Sequence, residues 1–212
     1  MAITLAKGQG LSLEKSQHNL SLVTIGLGWD IAAQKKSFLG GLFGEQPAEY
    51  DLDVVAFLCD TNGTVRDVGR DASGNPTLKN SDVIFFNNLK HRSGDIWLTG
   101  DNRTGAGDGD DEQIIVKLNS LSNDYQKIVF IVQIYEGIKN NQHFGQVDNA
   151  FIRAVDASGK EMVRFDLSGK GYDQQRSLLF AELVREINGW KFNALGQSSA
   201  SDNFLEWLKE YV

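Results

Sequence analysis

The stretch Ser177-Leu-Leu-Phe-Ala-Glu-Leu-Val-Arg-Glu-Ile-Asn-Gly-Trp-Lys-Phe-Asn-Ala194 decides the fold class. Two runs rich in β-branched and aromatic residues flank Asn188-Gly189, the dipeptide that most strongly signals a tight hairpin. The same grammar recurs outward in both directions. Strands are expected near Leu20–Leu27, Leu52–Cys59, Val83–Phe86, Ile96–Thr99, Gln113–Leu118, Lys127–Ile134, Ala150–Asp156, Glu161–Leu167, Ser177–Ile187 and Trp190–Ala194. Asp60-Thr-Asn-Gly63 and Asp156-Ala-Ser-Gly159 carry Asp first and Gly last, the order of a turn closing a hairpin. Short strands separated by turns predict an all-β protein, a two-sheet β-sandwich. Helices are few. Short ones are expected over Asn119–Asp124 and Tyr135–Gln142, and a longer one runs from a cap at Ser201 or Asp202 to Val212. Phe204, Leu208 and Tyr211 give that last helix an apolar stripe for packing on the sandwich. Residues 1–197 are therefore read as the sandwich and residues 198–212 as an amphipathic helix packed on it.

Composition narrows the function. The 212 residues suit one domain, and 21 basic against 28 acidic residues leave a net charge of −7. That balance disfavours nucleic acid, whose phosphates need a basic surface, and a polybasic membrane anchor. A single cysteine, Cys59, excludes an intrachain disulfide and a multi-thiolate zinc site. Neither a signal peptide nor a transmembrane segment is evident, so the expected location is the cytoplasm. Nucleophile elbows, phosphate-binding loops and zinc-protease signatures are absent from the sequence. His18, His91 and His143 are scattered and read as surface or turn histidines. Cys59 reads as a small core residue.

Two segments stand apart. Ser37–Tyr50 joins two strand regions and carries Phe38, Leu39, Leu42 and Phe43 among glycines. It is expected to fold over the core, with a protein or membrane contact as the alternative. The other is Gly100-Asp-Asn-Arg-Thr-Gly-Ala-Gly-Asp-Gly-Asp-Asp-Glu112. Its five acids (Asp101, Asp108, Asp110, Asp111, Glu112) and one base, Arg103, concentrate a net −4 in twelve residues. Like charges 4 Å apart repel by about 1 kcal/mol in water and about 4 kcal/mol at an effective dielectric of 20, so this loop calls for a counter-charge.

The ligand types say which counter-charge. Gly105, Gly107 and Gly109 allow close backbone approach, letting carbonyl oxygens turn in beside the carboxylates. An all-oxygen set without imidazole or thiolate suits Ca²⁺ over Zn²⁺, and its flexible geometry suits Ca²⁺ over Mg²⁺. Asp51 and Asp53 point to one face of a strand, and Asp30, Asn87 and Asn88 lie at other strand ends. Eight carboxylates in all are enough for two ions.

On these residues the chain resembles the tellurium-resistance TerD family. The matching segments are Val23–Asp30, Asp51–Asp53, Ile84–Asn88, Gly100–Glu112, Phe144–Val147 and Asn149–Arg153, in order along nearly the whole chain. The resemblance implies a β-sandwich binding two Ca²⁺ between strand-end loops. It also implies a bacterial stress role with partners, other stress-response proteins, at the inner face of the membrane, and no catalysis. Carried over residue by residue, the implied ligand set is Asp30, Asp51, Asp53, Asn87, Asn88, Asp101, Asn102, Thr104, Asp108, Asp110 and Glu112. Carbonyls near Gly105 and Gly107 add to it, and Asp111 serves either ion or only the field. The expected function is a non-enzymatic calcium-binding interaction module. The alternatives weighed are a calcium-assisted binder of sugars or nucleotides and a two-metal phosphoesterase.

Overall fold

A computed structural model describes residues 2–31, 50–99, 110–167 and 171–212. The described residues form twelve strands, one short α-helix and a 3-10 turn (Phe144–Gln146, between β8 and β9); strands and α-helix follow in the order β1(Ile3–Leu5), β2(Gly10–Glu14), β3(Val23–Ile31), β4(Leu52–Cys59), β5(Val83–Ile84), β6(Ile96–Thr99), β7(Glu112–Val116), β8(Lys127–Ile134), β9(Val147–Val155), β10(Glu161–Asp166), β11(Ser177–Glu186), β12(Gly189–Ser199) and α1(Leu205–Leu208). They form two six-stranded sheets, ordered β1-β10-β9-β3-β7-β6 in the first and β2-β12-β11-β8-β4-β5 in the second. Every pairing is antiparallel except β1 with β10.

Strict alternation separates the two faces. Along β4, Leu52, Val54, Ala56 and Leu58 enter the core between the sheets, while Val55, Phe57 and Cys59 belong to a second apolar cluster. That second cluster lies on the outer face of the second sheet. It is covered by Phe204, Trp207 and Leu208 with Tyr211, and Trp207 donates its indole N–H to Ser177 at 2.9 Å. The second sheet is thus buried on both faces, which is why β4 and β8 read as nearly continuous apolar runs.

Several local expectations change. The C-terminal helix is one turn, Leu205–Leu208, and β12 runs on to Ser199, past the expected sandwich boundary at residue 197. Ser201 and Asn203 use their side chains on the N–H groups of Asn203 and Leu205, two residues on, so they make turns and do not cap a longer helix. Asn119–Asp124 and Tyr135–Gln142 are turns, not helices. In the hairpin, Glu186 pairs with Gly189, so Ile187 and Asn188 form the turn. Gly189 serves a different need: a Cβ there would lie 2.2 Å from the Leu13 carbonyl of the neighbouring β2.

Candidate functional site

Three elements meet at one end of the sandwich: the end of β3, the start of β4, and the start of β7 with the residues before it. Three consecutive carboxylates at this junction diverge, each to a different anchor. Asp110 lies on the outer face of the first sheet, where its Oδ1 accepts from Arg153 Nε at 2.8 Å and its Oδ2 from Gln113 Nε2 at 3.3 Å. It rests on Gly26, where a Cβ would stand 2.1 Å from Asp110 Oδ2, so the bare backbone of β3 is what admits the carboxylate. Asp111 bonds the β3 backbone at two points: its N–H donates to the Leu27 carbonyl at 2.7 Å, and its Oδ2 accepts the Trp29 N–H at 3.0 Å.

Glu112 turns inward and crosses to the other sheet. Its Oε2 accepts the Val54 N–H at 2.6 Å, although the residue is only 2% exposed. The two-residue β5 pairs with Ala56 and Phe57 but stops short of Val54, and the Glu112 carboxylate takes that N–H instead.

Arg153 is the residue that sequence reasoning did not single out. It holds Asp110 and also Glu161, by Nη1 at 2.9 Å. Burial alone would lower the guanidinium pKa, but these two carboxylates outweigh it and the net shift is upward. Arg153 lies inside a segment matching the family, as the one basic residue on that strand. Its partner, 43 positions away, has no signal in a single sequence.

The remaining expected ligands fall as follows. Asp53 is buried, and by alternation it faces the outer side of the second sheet, where Gln133 donates to its Oδ2 at 3.1 Å. Asp51 directly precedes the same strand, and its carbonyl accepts the Tyr135 N–H at 2.8 Å. Asn88 spends its amide nitrogen on its own turn, bonding the Val83 carbonyl at 2.6 Å. Asn87 is exposed and lines a groove on that outer face. Asp101, Asn102, Thr104, Gly105, Gly107 and Asp108 lie outside the described residues, as do Phe38, Leu39, Leu42 and Phe43. For Asp30 the description covers the backbone, which pairs with Asp148.

Among the described residues, no three acidic, histidine or cysteine side chains gather closely enough to hold an ion. The described donors nonetheless have the right chemistry for a hard cation, being carboxylates fixed by N–H groups with no soft ligand beside them.

His91 opens a turn, as the sequence reading allows, but it does not lie at the surface. It is buried, with Nε2 3.1 Å from Asp82 Oδ1 and Nδ1 2.8 Å from Ser93 Oγ. Tyr125 and Arg92 also bond Asp82, at 2.9 Å each. Burial would raise the Asp82 pKa, yet the hydrogen bonds from His91 and Tyr125 with the Arg92 charge leave it below the usual value. Cys59 is buried as expected, and burial pushes its thiol up to about 12.

The TerD domain family model matches residues 1–211. The chain belongs to the TerD family. It is 63% identical over 213 residues to tellurium resistance protein TerX of Serratia marcescens, with both chains fully covered. It is 37% identical to stress response protein SCP2 of Bacillus subtilis (strain 168), again with full coverage of both. The crystal structure of SAV2460, a protein of unknown function, superposes with a TM-score of 0.62 at 23% identity, covering 89% of this chain and 94% of the other. That likeness shows the TerD-like sandwich fold. No helix among the described residues of this TerD-family chain is long and apolar enough to cross a membrane.

Proposed function

We propose that this TerD-family chain is a non-enzymatic calcium-binding protein of the bacterial tellurite and stress response. In this reading the loop Gly100–Glu112, with Asp30, Asp51 and Asp53 on the neighbouring strand ends, holds two Ca²⁺. Asn87 and Asn88 lie on the flank of that end, and Asn88 contributes by shaping its turn. The observation that carries the reading is the Glu112–Val54 bond: it brings the base of a loop with net charge −4 against the strand that Asp51 and Asp53 open. A divalent cation there relieves repulsion that water screens only partly. The ions tie the strand-end loops and present them as a surface to other stress-response proteins. The cytoplasm, at the inner face of the membrane, is the setting that fits this role, and the Phe38–Phe43 insert is the apolar element available for contact.

A ligand that binds only the folded state stabilises it by about 2.7 kcal/mol at a hundredfold excess over Kd. Thermal melting in Ca²⁺ and in chelator, for the wild type and Asp51→Asn, tests the reading. The melting temperature of the wild type rises with Ca²⁺, and the substitution diminishes the rise. Superimposed wild-type curves with and without Ca²⁺ contradict it.

A further inference from the structure

The outer face of the second sheet carries a groove of about 750 Å³ whose lining shares only Asn87 with the calcium reading. Its size is within the range of small-molecule sites, about 300–1,000 Å³. Phe85, Phe204 and Gln133 form a buried floor. Phe86 and Tyr135 stand over it, 41% and 43% exposed, with ring centroids 6.3 Å apart and planes at 79°. One ring therefore offers a flat face where the other forms a perpendicular wall.

The rim is built for hydroxyl groups. Asn87, whose side chain bonds nothing among the described residues, faces the groove beside Asp202, Asn203 and Thr77. Asp202 gives one oxygen to the Ile138 N–H at 2.8 Å, which fixes the carboxylate in place. The charged lining residues are Glu136, Asp202 and Lys79, and Glu136 is paired with the neighbouring Lys139, so the rim carries no excess of positive charge to draw a phosphate. Leu78 and Glu136, both lining residues, have φ of 58° and 49°, a left-handed backbone uncommon for such residues and concentrated at ligand sites.

From this combination we propose that the groove binds a saccharide, with the apolar face of a pyranose ring stacked on Tyr135 or Phe86 and its hydroxyls met by Asn87 and Asp202. Every group invoked belongs to the protein, so sugar binding in the groove needs no bound ion. Two residues join the two regions: Asn87, which the calcium reading also names, and Gln133, which donates to Asp53 and accepts the Phe204 N–H at 2.8 Å.

Saturation-transfer NMR of the full chain with methyl glucoside, methyl galactoside and N-acetylglucosamine tests this, in Ca²⁺ and in chelator. At least one sugar is expected to bind in both conditions, with affinity reduced about tenfold in Tyr135→Ala or Phe86→Ala, as loss of an aromatic contact implies. The rings are less than half exposed and Phe86 packs on Phe85, so each variant is expected to stay folded with a lowered melting temperature; the exposed Asn87→Ala, expected to melt with the wild type and with its binding likewise weakened, gives a second reading. No binding of any of the three sugars overturns the proposal, as does equal binding by all three variants. Binding that vanishes in chelator also overturns it, by assigning the sugar to the ion.

Discussion

Glu112 on the first sheet accepts the backbone N–H of Val54 on the second at 2.6 Å. This bond joins the two layers at the end where the acidic loop rejoins the sandwich. Without the carboxylate, a buried N–H loses its acceptor, at a cost of about 1–3 kcal/mol. Glu112→Ala is therefore expected to destabilise the fold by that amount, while Glu112→Gln, which keeps an acceptor oxygen, retains most of the stability. Urea unfolding of both variants is the check; equal losses would mean that the bond contributes little.

Asp110, Arg153 and Gly26 behave as one unit. Removing one partner of a largely buried ion pair leaves an uncompensated charge, typically costing about 3–5 kcal/mol. Arg153 is 27% exposed, so Arg153→Leu should fall below that range, at about 2 kcal/mol. Gly26→Ala, with Arg153 intact, is expected to displace Asp110 and to weaken the same pair. A double-mutant cycle between positions 26 and 153 should give a clear coupling energy; strict additivity would show that Gly26 does not act through Asp110.

The buried Asp82 sets an acid limit. Its folded pKa is depressed from 3.8, so its stabilisation is fully present above that value and is lost as pH falls through the folded pKa. Asp82→Asn is expected to cost about 3 kcal/mol at neutral pH, because His91 and Arg92 lose their charged partner. As pH falls below about 3.8 the wild-type and Asp82→Asn stabilities should begin to draw together, and they meet only below the folded pKa. Acid titrations of stability in which the gap between wild type and Asp82→Asn does not narrow at all below pH about 3.8 would contradict this assignment.

Cys59, with its thiol pushed up to about 12 and fully enclosed, is expected to resist thiol reagents in the native state. Modification should proceed only as fast as the protein opens, and quickly in denaturant. Rapid labelling of the folded chain would place the sulfur in a different environment.

The sequence makes the interior strands legible and leaves their margins open. Leu52–Cys59, Ile96–Thr99 and Lys127–Ile134 occupy the expected residues, because apolar runs bounded by turn residues say both where a strand lies and that it is buried. β1 and β2 escape notice because they are short and largely exposed. Their pairing partners, β10 and β12, lie more than a hundred residues on. The single-turn helix reads as longer because its stripe, Phe204, Leu208 and Tyr211, is real, but the outer cluster claims it. At the site, the residue types are visible while their anchoring is not. Asp110 and Asp111 look alike in sequence, yet one is held by an arginine and the other by the backbone of β3. His91 reads as a surface or turn residue, and its burial goes unseen because nothing nearby in sequence announces Tyr125, 34 positions away.

The most direct test of the central claim is calorimetric titration of chelated protein with Ca²⁺, with Mg²⁺ in parallel. Two calcium ions bound per chain, in preference to magnesium and with both sites weakened in Asp108→Asn, are the predicted outcome. Heats indistinguishable from dilution up to millimolar calcium would contradict it.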